Sequence, residues 1–123
     1  LLRTLVTALR NDLPRLRADL EAARELAADP AAPAAHTAEA LRRAAHALKN
    51  SAATLCFEEL RLRAAALEQV ARQALAGTPE KAEELAPLAA ACAEALARAE
   101  EVLRREDGGC RCLRGGGSPV REA

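Results

Sequence analysis

Aromatic residues and methionine are almost absent from this sequence of 123 residues. It contains no Met, Trp or Tyr, and its single aromatic residue is Phe57. A core must therefore be built from Leu and Ala, which are the strongest apolar helix formers. Because β-branched residues are also scarce, the composition argues against a strand-rich fold and favours an all-α domain.

Long apolar runs and an excess of one charge are absent as well. No run approaches the roughly 20 apolar residues of a membrane span, and no secretion signal is visible, so we expect no membrane insertion. The 18 basic residues balance the 18 acidic ones, which gives no bulk attraction to nucleic acid. The sequence begins with Leu1 instead of Met, which indicates a fragment of a longer protein.

The four cysteines do not follow the spacing of a disulfide framework or of a zinc knuckle. Cys92 falls at an apolar position of a helical pattern, which indicates core packing. Cys110 and Cys112 lie in a Gly-rich segment, where a surface pair is favoured over a metal site. This usage is typical of the reducing cytoplasm rather than of an oxidising compartment.

Apolar residues recur at helical spacing in segments that prolines, glycines and capping residues separate. A stripe over residues 2–9 predicts a short leading helix. Asn11–Asp12 then offers an N-cap, with Pro14 in the first turn of the next helix, which Asp29–Pro30 ends. We expect residues 31–35 to form a loop and His36 beside it to be a solvated histidine.

Three further helices are predicted after this loop. Thr37 is the expected N-cap of one helix, which ends at a tight turn at Cys56–Phe57. The next helix covers residues 58–76. Gly77–Thr78–Pro79 then supplies a C-terminal glycine, an N-cap and a first helical residue for the last helix, which runs to about Arg105.

Four amphipathic helices with short connections predict an antiparallel four-helix bundle over residues 1–106, with the short leading helix as an addition. Residues 107–123 are rich in glycine and are expected to form a flexible tail. A helical spacer or coiled-coil dimer is a weaker interpretation, because the prolines and glycines divide the chain into bundle-length helices.

A histidine ringed by cations lies in the middle of one predicted helix. Arg42 and Arg43 lie one turn before His46, and Lys49 and Asn50 follow three and four residues later on the same face. A neutral imidazole is a competent nucleophile, neighbouring positive charge keeps it neutral, and the same cations can pair with phosphoryl oxygens. The pattern fits phosphoryl transfer to nitrogen, and the alternative is a solvated helix face.

The turn at Cys56–Phe57 also predicts what lies opposite this histidine. Helices rise equally per residue, so His46 should be level with Leu67 and Glu68 of the following helix. Leu67 points inward by its period, and Glu68 or Gln69 could then hydrogen-bond the second ring nitrogen and orient the imidazole. An ordinary surface pair of Glu68 with a cation four residues later is an equally good interpretation.

The segment His46-Ala47-Leu48-Lys49-Asn50-Ser51-Ala52, followed by Leu55-Cys56-Phe57, resembles the signature of histidine-containing phosphotransfer (HPt) domains. That signature reads His-x-Leu-Lys-Gly-Ser-Ala and, a few residues on, Leu-Gly and an apolar residue. Leu60 and Leu67-Glu68 also match in register, and the resemblance covers roughly residues 1–105. The chain departs from the family at two glycines, which are Asn50 and Cys56 here.

The resemblance implies that the domain is a phosphoryl carrier, not an enzyme, and that it acts in a phosphorelay in the cytoplasm. His46 would be the phosphoacceptor and Lys49 would contact the phosphoryl group, with no cofactor in the domain itself. The partners would be response-regulator receiver domains that hold Mg²⁺ and dock over Asn50 and Ala53. Two interpretations stay open. The domain could belong to a hybrid sensor kinase in cis, and it could be a degenerate HPt-like module that binds a partner without carrying phosphate.

Overall fold

The computed structural model describes residues 2–114, which form helices and no strands. α1 spans Leu2–Ala28, α2 Ala34–Leu55, α3 Glu58–Leu75 and α4 Leu85–Arg114, and a short 3₁₀ helix at Pro79–Glu84 precedes α4. Helices that are consecutive in the chain pack together, and α1 also packs against α4, which closes the bundle. The predicted all-α four-helix bundle is confirmed. No helix among the described residues is both long and apolar enough to cross a membrane.

The core consists almost entirely of leucine and alanine, as the composition requires. Each helix contributes leucines that are nearly inaccessible to solvent: Leu13, Leu16 and Leu20 in α1, Leu41 and Leu48 in α2, Leu60 and Leu67 in α3, and Leu85 and Leu96 in α4. Burial of one such side chain contributes roughly 1.5–3 kcal/mol. Cys92 is also buried, as predicted, and burial raises the pKa of its thiol to about 11, so it packs as an apolar side chain.

One continuous α1 replaces the short leading helix and the separate second helix predicted from the sequence. Pro14 lies inside α1, where a proline costs about 3 kcal/mol because it lacks an N–H and crowds the preceding turn. Asp12 does not act as a cap, because its carboxylate accepts hydrogen bonds from Arg15 at 2.9 and 2.6 Å. Leu13 and Leu16 on either side of the proline are buried, and we infer that their packing offsets its cost.

The predicted loop before α2 is shorter than expected, because α2 begins at Ala34 and includes both His36 and Thr37. Pro33 has φ −60° and ψ 136°, a conformation that its ring favours. The carbonyl of Pro33 accepts a hydrogen bond from the Thr37 N–H at 3.1 Å. Proline thus starts the helix that was predicted to start at the Thr37 cap, and His36 is exposed on the first turn.

Two helices end in the same backbone motif, a Schellman turn with one residue in the left-handed conformation. After α3 that residue is Gly77, as predicted, with φ 103°. After α2 it is Cys56, with φ 64°, and the following Phe57 N–H donates to the Ala52 carbonyl at 2.9 Å. The predicted tight turn is confirmed, and Cys56 occupies a conformation that glycine adopts without strain.

Thr78 is not the N-cap of the last long helix, contrary to the prediction. Its side chain makes no capping hydrogen bond, and the 3₁₀ helix follows it. The Lys81 N–H donates to the Thr78 carbonyl at 3.0 Å. A 3₁₀ helix rises about 2.0 Å per residue instead of about 1.5 Å, so this segment covers more distance before the buried Leu85 starts α4.

α4 continues past the predicted end at Arg105 to Arg114, so the first part of the segment predicted to be a flexible tail is helical. Extension of an existing helix needs no new nucleus, which makes the low helix propensity of Gly108 and Gly109, about 1 kcal/mol each, tolerable. The rest of the predicted tail, residues 115–123, lies outside the described residues, as do the side chains of the two cysteines at the end of α4.

Replacement of Cys56 by Gly should stabilise the bundle by about 0.5–1 kcal/mol. The left-handed conformation costs a non-glycine residue roughly 1–2 kcal/mol, which exceeds the added freedom of glycine in the unfolded chain. Urea unfolding followed by circular dichroism measures the change. The control Ala53→Gly, at an exposed helical position of α2, should lose about 1 kcal/mol. Destabilisation of both variants would show that Cys56 is not strained.

Candidate functional site

The α2–α3 hairpin brings His46 into contact with Glu68, as the predicted register requires. The two helices lie side by side after the left-handed turn at Cys56, and the imidazole Nδ1 lies 2.8 Å from Glu68 Oε2. The His46 side chain is 48% exposed, so the ring lies at the surface and not among the leucines. The predicted surface position of this histidine, with Lys49 on the same side of α2, is confirmed.

Glu68 is a buried carboxylate, only 3% exposed, and donors from both helices surround it. Lys49 Nζ lies 2.6 Å from Oε1, and Arg72 Nη2 lies 2.8 Å from Oε2, the oxygen that also contacts His46. Burial raises the pKa of this carboxyl. The hydrogen bonds from Lys49 and His46, with the charges of Lys49 and Arg72, outweigh burial and lower the pKa to about 2. Glu68 is therefore ionised at neutral pH.

The ionised Glu68 fixes the tautomer of the histidine. A carboxylate can only accept hydrogen bonds, so the Nδ1 of a neutral His46 must carry the proton that lies between the two side chains. The lone pair then lies on Nε2, at the other side of the ring. Lys49 and Arg72 bring two positive charges to the single negative charge of the carboxylate, and the carboxylate orients the imidazole through its hydrogen bond to Nδ1.

A carboxamide lies next to the nitrogen that carries this lone pair. Asn50 Nδ2 is 3.3 Å from His46 Nε2, and since Nε2 is the acceptor, the amide donates. Asn50 follows His46 by one helical turn and is exposed. The Thr54 hydroxyl donates to the backbone carbonyl of Asn50 at 3.2 Å. Both ring nitrogens of His46 are thus hydrogen-bonded.

The two predicted arginines are engaged one turn away from the histidine. Arg42 donates to both carboxylate oxygens of Glu39, at 2.9 and 2.8 Å, and Arg43 Nε lies 3.6 Å from the same carboxylate. The hydrogen bond to Glu39 raises the pKa of Arg42, and the charge of Glu68 adds to this effect. The arginines contribute positive potential near His46, but neither bonds to its ring within residues 2–114.

Gln69 does not share the position of Glu68. Its side chain is exposed, and of the two predicted candidates only Glu68 bonds to the second ring nitrogen. Ala53, the other predicted docking residue, is exposed on α2.

Arg72 is a site residue that the sequence did not identify. Its spacing from Glu68 indicated only an ordinary surface pair, whereas Arg72 and His46 donate to the same buried oxygen.

The carboxylates around His46 are arranged for ion pairing. Glu39 and Glu68 each face basic side chains. Over the part of the chain that the structure describes, no group of three or more His, Cys, Asp or Glu side chains could hold a metal ion. The site thus offers a nucleophilic nitrogen beside cations, which suits binding and transfer of an anionic group.

Comparison with known protein families identifies a match over most of the chain. The family model described as Hpt domain matches residues 1–107, which includes α1, α2, α3 and most of α4. No curated protein and no solved structure matches the chain significantly.

The low pKa of Glu68 should make the bundle sensitive to acid. Because the folded-state pKa of about 2 lies below the ordinary 4.5, this group stabilises the fold above pH 4.5, and the contribution is lost as the pH falls toward 2. Between pH 6 and pH 3, the free energy of unfolding of the wild type should fall by about 2 kcal/mol more than that of Glu68→Gln.

Urea unfolding at the two pH values measures this difference. The control is Glu21→Gln, which removes an exposed carboxylate paired with Arg24 and should keep the wild-type pH dependence. An equal loss of stability in wild type and Glu68→Gln would contradict the ionised, paired state of Glu68.

Proposed function

Because the chain belongs to the Hpt domain family, we propose that it carries a phosphoryl group on His46 between the aspartates of receiver domains. Domains of this family are phosphocarriers of two-component phosphorelays and interact with receiver domains. One observation carries the assignment of the phosphoacceptor to His46. Its Nδ1 bonds to the buried, ionised Glu68, which leaves a lone pair on Nε2 of a half-exposed ring.

The proposed transfer uses that lone pair. Nε2 attacks the phosphorus of an aspartyl phosphate on a receiver, so that an N–P bond forms as the P–O bond to the aspartate breaks and the carboxylate leaves with the electron pair. The proton stays on Nδ1 of His46, which donates it in a hydrogen bond to Glu68, and the carboxylate stabilises the positive charge that the phosphorylated ring gains. The reverse reaction passes the phosphoryl group to another receiver aspartate.

Cations on the same surface favour the anionic transition state. Glu68 carries one negative charge against the two positive charges of Lys49 and Arg72, so the cluster keeps a net positive charge while the imidazole is neutral. Lys49, which lies one turn from His46 and is partly exposed, is proposed to contact the phosphoryl oxygens. Arg42 and Arg43 act at longer range, because Glu39 already pairs with both.

The docking surface is proposed to be the exposed side of α2 around His46, including Asn50 and Ala53. Mg²⁺ would be held by the receiver, not by this domain. Because receiver domains act in the cytoplasm, we place this chain there, either as a free carrier or within a hybrid sensor kinase.

A second candidate function is a degenerate module that binds a receiver without taking its phosphoryl group. Asn50 favours it, because its amide already occupies the lone pair of the proposed nucleophile, where the family has a glycine. The two functions differ in one result. A carrier becomes labelled on histidine by a phosphorylated receiver, and a degenerate module binds the receiver and stays unlabelled.

His46→Gln should abolish phosphoryl uptake and leave the bundle folded. Uptake of acid-labile label from a panel of phosphorylated receivers measures the first, and circular dichroism the second. The matched control is His36→Gln, on the first turn of the same helix and exposed, which should be labelled like the wild type. Retained labelling of His46→Gln, or loss of labelling in His36→Gln, would move the phosphoacceptor away from His46.

Lys49→Ala should slow phosphoryl transfer by about tenfold or more, because it removes a cation beside the developing charge. Single-turnover transfer from a receiver measures the rate. Lys81→Ala is the control, since Lys81 pairs with Glu84 at 3.3 Å in the 3₁₀ helix, and it should transfer at the wild-type rate. An unchanged rate for a folded Lys49→Ala variant would restrict Lys49 to holding Glu68.

A further inference from the structure

The hydrogen bond between Asn50 and the nucleophilic nitrogen points to a role beyond docking. We infer that Asn50 acts on both states of His46: its amide caps the Nε2 lone pair before transfer and donates to a phosphoryl oxygen afterwards. This inference rests on the proposed function, because it requires that His46 carry the phosphoryl group. The predicted consequence is a carrier that takes up phosphoryl groups more slowly and keeps them longer than the same domain without the amide.

The capped state follows from the contacts of the ring. Glu68 accepts from Nδ1, so Nε2 has no proton and must accept, and the group of Asn50 that faces it is the NH₂ donor at 3.3 Å. An attacking lone pair cannot bond to phosphorus while it accepts this hydrogen bond. The distance is at the long end of the range for hydrogen bonds, so the amide can be displaced.

The second state follows from the position of the same donor. A phosphoryl group on Nε2 lies along the direction from which the amide now approaches, so the exposed Asn50 side chain must rotate aside and then faces the phosphoryl oxygens. Lys49 and Arg72 bond to Glu68, the carboxylate that Nδ1 of the ring also contacts. Within residues 2–114, Asn50 is the side chain that bonds to Nε2, and it is therefore placed to meet the transferred group as a second donor beside Lys49.

A small phosphoryl donor separates this role from docking. Phosphoramidate transfers its phosphoryl group to imidazole with loss of ammonia, so the N–P bond of the donor breaks as the N–P bond to Nε2 forms. It is too small to be hindered as a docked receiver would be. Asn50→Ala should therefore be labelled by phosphoramidate about threefold to tenfold faster than the wild type, and its phosphohistidine should hydrolyse faster by a similar factor.

A second variant reverses one of these effects. Asn50→Asp replaces the donor by a carboxylate that repels phosphoryl oxygens and favours a proton on Nε2, so its uptake should fall below that of the wild type. Asn11→Ala is the control, because it makes the same exchange at an exposed position of α1, and both of its rates should be unchanged. Circular dichroism establishes that every variant is folded.

Nitrogen NMR of the imidazole tests the cap without any phosphoryl donor. In Asn50→Ala the Nε2 resonance should move toward that of an unprotonated imidazole nitrogen in water, while Nδ1 stays protonated. Unchanged phosphoramidate labelling and hydrolysis in Asn50→Ala would overturn the inference, and a change confined to transfer from receivers would assign Asn50 to docking alone. If the wild type takes no label from either donor, the proposed carrier function fails as well, and the NMR result still shows separately whether the cap exists.

Discussion

The pairing of one buried carboxylate with three donors connects the fold of this domain to its site. Glu68 lies between α2 and α3 with almost no access to water, and a buried charge of this kind is tolerated only when it is paired. Lys49 and His46 come from α2 and Arg72 from α3. A slip of one residue would rotate a helix face by about 100° and separate the carboxylate from these donors. The register of the hairpin and the orientation of the imidazole are thus specified by the same contacts.

The level of His46 against Glu68 was predictable because it depends on a constant helical rise and on one turn, which the sequence locates at Cys56–Phe57. The burial of the leucines followed equally from their period. Helix ends were less predictable, since they depend on small energies that tertiary packing overrides. Pro14 illustrates the point, because a strong local signal for a helix start lies inside a continuous α1. Thr37 is a second example, because the helix begins after Pro33, four residues earlier, and Thr37 does not cap it.

Other parts of the site depend on side-chain torsions, which a sequence pattern does not specify. Helical spacing indicated that Asn50 shares a face with His46, but not that its amide reaches Nε2. The same spacing paired Arg72 with Glu68 without indicating that the guanidinium and the imidazole contact one oxygen. Arg42 and Arg43 were expected beside the histidine for the same reason, and Glu39 holds them one turn away. Helical spacing therefore predicts which residues lie near the ring, whereas the individual contacts depend on the side-chain conformations.

The hydrogen bonds at both nitrogens of His46 also determine when the imidazole loses its rotational freedom. A solvated imidazole rotates among several orientations, and a productive encounter must wait for the right one or impose it. In this bundle the ring is already restricted by Glu68 on one edge and by Asn50 on the other, so much of its rotational entropy is lost when the chain folds. A receiver that docks as proposed then meets a ring whose orientation is already set, and it has only to displace the Asn50 amide from Nε2. The fraction of encounters that lead to transfer then depends on the partner's approach and on the release of this amide.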